Sequence, residues 1–200
     1  MNILLNHSIV AQPPVDRIRF VVYAKYSITD KNKNKMKLKI SALLTLLATF
    51  GAHANPFINE IHYDNAGADA DEGIEIAGPS GTHLSSYTLT LYNGSDNSVL
   101  KAIKLSGVIP NQSNGFGTLF FSIISLQNGA PDGVALDDNG TLIQFLSYEG
   151  TITATDGVAV GNTSTDIGMA ENGTTTVGHS LQLNGTGTSY EDFSWSSPAA

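Results

Sequence analysis

Residues 55–200 predict an all-β fold, an antiparallel β-sandwich, on three observations. Apolar residues there recur every second position, as in Tyr87-Thr88-Leu89-Thr90-Leu91 and Ile74-Glu75-Ile76, the period of a half-buried strand. Turn dipeptides interrupt these runs: Asn-Gly at 93–94, 114–115, 128–129, 139–140, 172–173 and 184–185, and Asp-Gly at 132–133 and 156–157. Asn and Gly accept the positive φ angles of a tight hairpin turn at low steric cost. Beyond residue 54, no window sustains the 3.6-residue period of a capped helix. Short strands at this spacing with Gly-rich turns read as a sandwich.

The first strand is expected near 57–63, where Phe57, Ile61 and Tyr63 alternate with Glu60 and His62. That alternation places Glu60 and His62 on a solvent face. The second, 73–77, has Ile74 and Ile76 flanking Glu75. The third, 87–93, puts Tyr87, Leu89 and Leu91 on one face while Thr88 and Thr90 point away. Further strands are expected near 99–105, 117–122, 133–137 and 142–147. The pattern then lapses over 151–178, a stretch rich in Gly, Thr and Asn. Loops of this length are often functional or mobile, with a plain crossover as the alternative. The last strands fall near 180–184, with Leu181 and Leu183 about Gln182, and 193–196, with Phe193 and Trp195 about Ser194. Few residues follow Trp195, and Ser196 to Ala200 reads as the start of a linker, so the chain is expected to be the leading piece of a longer protein.

An export signal is expected inside the chain. Met36-Lys37-Leu38-Lys39 forms a basic start, 40–50 an apolar stretch, and Ala52-His53-Ala54 a small-x-small cleavage site. The stretch is shorter than the roughly 20 apolar residues of a membrane span. Residues 36–54 are therefore expected to be a signal peptide, 1–35 a mis-annotated extension, and 55–200 the secreted domain, with no membrane span after cleavage. Its address would be the periplasm, the cell surface or the medium.

Charge narrows the partners. Beyond Ala54 only Lys101 and Lys104 stand against sixteen Asp and Glu, a net charge of −14. Phosphate-backbone binding requires clustered Lys and Arg, so direct binding of nucleic acid or anionic membrane is not expected. With no cysteine in the chain, apolar burial must hold the domain without disulfides. Seven Asn-x-Ser/Thr sequons occur and are read as turn residues in a bacterial-type exported chain.

No catalytic constellation is legible. There is no Gly-x-Ser-x-Gly elbow, and the adjacent His179-Ser180 pair would point to opposite faces of a strand. His62, His83 and His179 lack zinc-ligand spacing and are read as solvated. Glu60, Glu75 and His62 lie on neighbouring strands and are the candidate Mg²⁺ and general-base cluster, although strand parity favours a solvent face for them. Asp64, Asn65, Asp69, Asp71 and Glu72 supply the hard oxygens calcium takes, without EF-hand spacing. A solvated turn is the simpler reading. Asp137-Asp138-Asn139-Gly140 is read as a hairpin turn that needs no ion. Phe116, Phe120, Phe121, Phe145, Tyr148 and Trp195 are read chiefly as core, with a sugar-stacking platform as the alternative. No catalytic, cofactor-binding or metal residue is assigned.

Phe57-Ile58-Asn59-Glu60-Ile61-His62-Tyr63-Asp64 and Glu72-Gly73-Ile74-Glu75-Ile76 resemble the opening of the lamin-tail domain family. Leu84-Ser85-Ser86-Tyr87-Thr88-Leu89 is similar to its following turn and strand, with Ser86 and Tyr87 in place of the usual Gly and Trp. Gly133 to Asp137, Ile143 to Tyr148, Ser180 to Leu183 and Phe193 to Trp195 are similar to its later strands. The resemblance implies an immunoglobulin-like sandwich that binds or spaces and is not an enzyme. Phe145 to Gly150, followed by Ser164 to Gly168, further resembles the N-terminal region of secreted bacterial nucleases of the endonuclease/exonuclease/phosphatase type. It implies an accessory module whose partner is a downstream catalytic domain or another protein. The alternative is a free-standing extracellular binding or adhesion module for calcium or a surface glycan. No cofactor is implied.

Overall fold

The computed structural model describes residues 20–25 and 41–46 as backbone, and 54–124, 126–129 and 131–200 in full. The chain divides into two units, Met1–His53 and Ala54–Ala200. In the first, β1 (Phe20–Lys25) pairs antiparallel with β2 (Ser41–Leu46), Phe20 opposite Leu46. β2 falls within the apolar stretch assigned above to an export signal. The remainder of the assignments for 1–35 and 36–54 lies outside the described residues.

The second unit is a β-sandwich of two five-stranded sheets. One sheet runs β12 (Phe193–Ala199), β11 (Ser180–Gly185), β3 (Phe57–His62), β4 (Gly73–Pro79), β7 (Phe116–Ser122). The other runs β10 (Thr165–Asp166), β9 (Thr141–Tyr148), β8 (Asp132–Asp138), β5 (Tyr87–Asn93), β6 (Ser98–Lys104). Neighbours are antiparallel except β10 and β9. Each of the nine strands expected from alternation is present; β12 runs on to Ala199 and pairs with β11, so Ser196 to Ala199, expected as the start of a linker, is strand.

Register follows the apolar rows. Ile61 lies opposite Ile74 and Ile74 opposite Phe121; in the second sheet Leu91 lies opposite Val134 and Val134 opposite Leu146. These rows meet in one core with Ile58, Ile76, Leu89 and Leu136. Slipping a strand by one residue would turn its inward apolar set to the opposite face, which pins the pairing. Ile74→Ala is expected to lower stability by about 2–5 kcal/mol through lost contact and the cavity left behind. Ile124→Ala, at a side chain 82% exposed, should stay within about 0.5 kcal/mol; urea denaturation of both variants is the check.

β3 carries a bulge. Ile58 faces Ile76 and Glu60 faces Glu75, leaving Asn59 as the extra residue. The Ile58 N–H donates instead to Gln144 Oε1 of β9 at 2.7 Å, a bond between the two sheets.

Two sequence expectations are corrected here. Thr90, expected on an open face, is buried. The face of the second sheet away from the main core carries Tyr92, Ala135 and Phe145, and Ile152, Ala154 and Ala159 of the long loop cover it as a second apolar cluster. The loop is also hydrogen-bonded there: the Ala159 N–H donates to the Tyr92 hydroxyl at 3.0 Å, and that hydroxyl to the Asp156 carbonyl at 3.2 Å. The first half of the long loop is therefore packed chain. Second, the Gly-containing dipeptides do different jobs. Asn114-Gly115 and Asn139-Gly140 adopt positive φ at both residues, as a two-residue hairpin requires. Asn93-Gly94 opens a four-residue connection between β5 and β6, in which Asn97 takes the left-handed conformation (φ 60°). Asp132-Gly133, expected as a turn marker, lies inside β8.

Lys101 and Lys104, the only cationic side chains other than histidine beyond Ala54, both stand exposed on β6 at the edge of its sheet. Lysines on an edge strand disfavour edge-to-edge association.

Candidate functional site

The end of β3 turns into the 64–72 loop, and the second half of the long loop folds back against both. Where they meet, His62 is 4% exposed; the solvated position expected for it is overturned. Its Nδ1 lies 2.9 Å from Glu171 Oε1, and its Nε2 lies 3.0 Å from the Ala70 carbonyl and 3.0 Å from Asn65 Nδ2. Glu171 is buried at 1% exposure. Its Oε2 accepts the backbone N–H of Tyr63 at 2.6 Å and of Asp64 at 2.9 Å. The carboxylate thus caps two amides at the end of β3 that no strand pairs. In return the Glu171 N–H donates to the Tyr63 hydroxyl at 2.7 Å, and that hydroxyl donates to Glu149 Oε1 at 3.0 Å. The Tyr63 ring stacks on Tyr148 with centroids 4.0 Å apart and planes inclined by 12°.

Electrostatics follow from burial and from the acidic neighbours. Burial by itself pushes the His62 pKa down. The hydrogen bond and charge of Glu171, the Ala70 carbonyl and the charge of Glu72 together outweigh it, and the net shift is upward. Burial raises the Asp64 carboxyl, and the charge and hydrogen bond of Asp69 raise it further. Burial also drives the Tyr63 and Tyr148 hydroxyls far up, so both are neutral donors throughout the physiological range.

Of the three candidate residues Glu60, Glu75 and His62, only the two glutamates are brought side by side. Glu60 and Glu75 are direct cross-strand partners, and Glu75 Oε1 accepts Asn59 Nδ2 at 2.7 Å. The His62 ring engages Glu171 and Ala70 instead. Of the other histidines, His83 is exposed and His179 half-buried. In the 64–72 loop the Asn65 N–H reaches Asp69 Oδ1 at 3.5 Å, and the Ala66 N–H donates to the Thr175 carbonyl at 2.8 Å. Among the described residues, no group of three or more His, Cys, Asp or Glu converges to hold a metal ion. At 137–140 the Gly140 N–H donates to Asp137 Oδ1 at 2.7 Å and closes the hairpin turn.

Of the aromatics expected in the core, Phe145 and Tyr148 are buried, Phe121 and Trp195 pack partly against the core, and Phe120 is 45% exposed. Phe116 instead helps line an open groove of about 220 Å³ with Phe57, Phe193, Asn59, Gln112 and Thr118, and no charged residue borders it. Phe57 and Phe193 stand 5.8 Å apart by ring centroid. Gln112 Oε1 accepts from the Thr118 N–H at 2.7 Å, which holds the carboxamide at the rim.

Glu171 escaped sequence reasoning altogether. It sits more than a hundred residues from the strand it caps, and its one distinguishing mark is that it is the only glutamate within 151–178.

The fold and site define an all-β sandwich whose one buried imidazole–carboxylate pair, among the described residues, ties two loops to a strand end. Comparison of the chain with protein-family models, curated proteins and solved structures finds no match.

Proposed function

We propose that this chain is a secreted, non-catalytic module of the lamin-tail type, the N-terminal accessory domain of an extracellular nuclease whose catalytic domain is not in this chain. One observation carries the non-catalytic part. Both nitrogens of His62, the imidazole nearest the Glu60–Glu75 pair in sequence, are engaged inside the protein by Glu171 and Ala70. An imidazole so held has no free nitrogen for activating a water at those carboxylates. The −14 charge beyond Ala54 supports a role in holding or spacing an enzyme and not in gripping DNA itself. The lamin-tail and nuclease parts rest on the sequence resemblance.

With Mg²⁺ and supercoiled plasmid, the purified chain is expected to cleave no faster than buffer, and Glu60→Ala to change nothing. Cleavage that disappears in Glu60→Ala would overturn the non-catalytic reading. Sequencing the gene past the Ala200 codon tests the accessory role. A downstream domain with an Mg²⁺-binding Glu and a His–Asp set supports it, and an immediate stop codon removes it.

The groove favours a second reading, a free-standing module for a surface glycan. Aromatic rings with carboxamides and hydroxyls at the rim, and no charge, match a neutral sugar, whose C–H faces stack on rings and whose hydroxyls pair with amides. Binding to a neutral glycan array that is lost in Phe116→Ala would favour it.

A further inference from the structure

We propose that His62 and Glu171 form a proton-operated latch: the imidazolium clamps the 64–72 loop and the Glu171-bearing loop onto the end of β3, and the clamp loosens when the ring loses its proton. Three separate pieces of chain meet at this one ring. His62 belongs to β3, Asn65 and Ala70 to the two arms of the 64–72 loop, and Glu171 to the chain ahead of β11.

The ring's two nitrogens behave differently. Nδ1–H donates to Glu171 Oε1 whether or not the ring is charged. Nε2 has two alternative partners at the same 3.0 Å. When protonated it donates to the Ala70 carbonyl; when neutral it accepts from Asn65 Nδ2. The Ala70 carbonyl also accepts from Asn65 Nδ2 at 3.0 Å. Loss of the proton therefore replaces a strand-to-loop bond at the far arm with bonds at the near arm, and Ala70 is then held only by its own loop.

Charge drives the exchange in the same direction. Glu171 is buried with both oxygens engaged by donors, and a buried carboxylate calls for a compensating cation. The charged groups acting on His62 are Glu171, Glu72 and Asp64, all acidic. The only lysines beyond Ala54 are on β6 of the other sheet. His62 is accordingly the counter-ion of this corner. Its raised folded-state pKa fixes the sign. The closed arrangement gains stability fully below the unfolded imidazole value of about 6.5, and loses it as the pH rises through the higher folded value. Asp64, also raised, moves the same way in the more acidic range.

The test is hydrogen exchange and histidine-ring NMR on the purified chain between pH 5.5 and 8.5. After correction for intrinsic base catalysis, protection of the Tyr63, Asp64 and Ala66 amides is expected to fall several-fold across that range. Protection at Ile74 and Leu89 is expected to stay level. The His62 ring should titrate above an ordinary histidine, with Nδ1 remaining protonated. Glu171→Gln should lower that titration and flatten the loop response. Should Glu171→Gln fail to fold, the unmodified chain decides the matter alone. Loop protection independent of pH, or His62 titrating below an ordinary histidine as a merely buried imidazole does, would overturn the latch.

Discussion

Glu171→Ala is expected to destabilise the sandwich by about 3–5 kcal/mol, the range for removing one partner of a buried ion pair. The side chain is 1% exposed and takes donors from the His62 ring and from the Tyr63 and Asp64 amides. Truncation leaves those donors without an acceptor in a site closed to water, and each orphaned amide alone costs about 1–3 kcal/mol. Glu171→Gln keeps an acceptor oxygen but loses the charge, so its cost should lie between the alanine variant and the parent. The midpoint of urea denaturation at pH 6 reads both. A loss under about 1 kcal/mol for Glu171→Ala would mean that water reaches these groups and that the carboxylate is not what closes the corner.

Gly94→Ala should cost about 3 kcal/mol or more, at the upper end for forcing atoms into a filled space. A Cβ on Gly94 would lie 1.5 Å from the Pro131 carbonyl oxygen and 2.7 Å from its carbon. Both are backbone atoms and cannot rotate aside. The Gly94 N–H also donates to Asp132 Oδ1 at 3.0 Å, so the β5–β6 connection is seated directly on the start of β8. Gly140→Ala is the informative comparison. A Cβ there would meet nothing within 4 Å, and the φ is 82°, so only the left-handed backbone is penalised, by about 1–2 kcal/mol. Thermal unfolding of the two variants should rank Gly94→Ala well below Gly140→Ala. The reverse ranking would show that the turn can lift off Pro131.

These two residues mark where sequence reading succeeded and where it stopped. Both Asn93-Gly94 and Asn139-Gly140 announce a turn. At 139–140 the local chemistry is the whole explanation, since the two positive φ angles belong to the dipeptide itself. At 93–94 the glycine is required by Pro131, thirty-seven residues away in the sequence, and no local pattern encodes that approach. The strands divide in the same manner. Alternation at Tyr87, Leu89 and Leu91 identified β5 and its inward face, because period two is a property of the strand alone. The burial of Thr90 on the opposite face depends on a loop that follows β9, far along the chain. His62 is the sharpest instance: its parity with Glu60 on β3 is right, and it still ends up buried, because the loop carrying Glu171 covers that end of the strand.

What the sequence determined by itself is the all-β class, the positions of nine strands and two of its hairpin turns. Each follows from backbone geometry and side-chain period over a few neighbouring residues. The tertiary structure alone decided the β10 edge, the second apolar cluster, the uncharged groove and the His62–Glu171 corner. All of these are contacts between segments far apart in the chain, and they depend on which loop lies over which face once the sheets have packed.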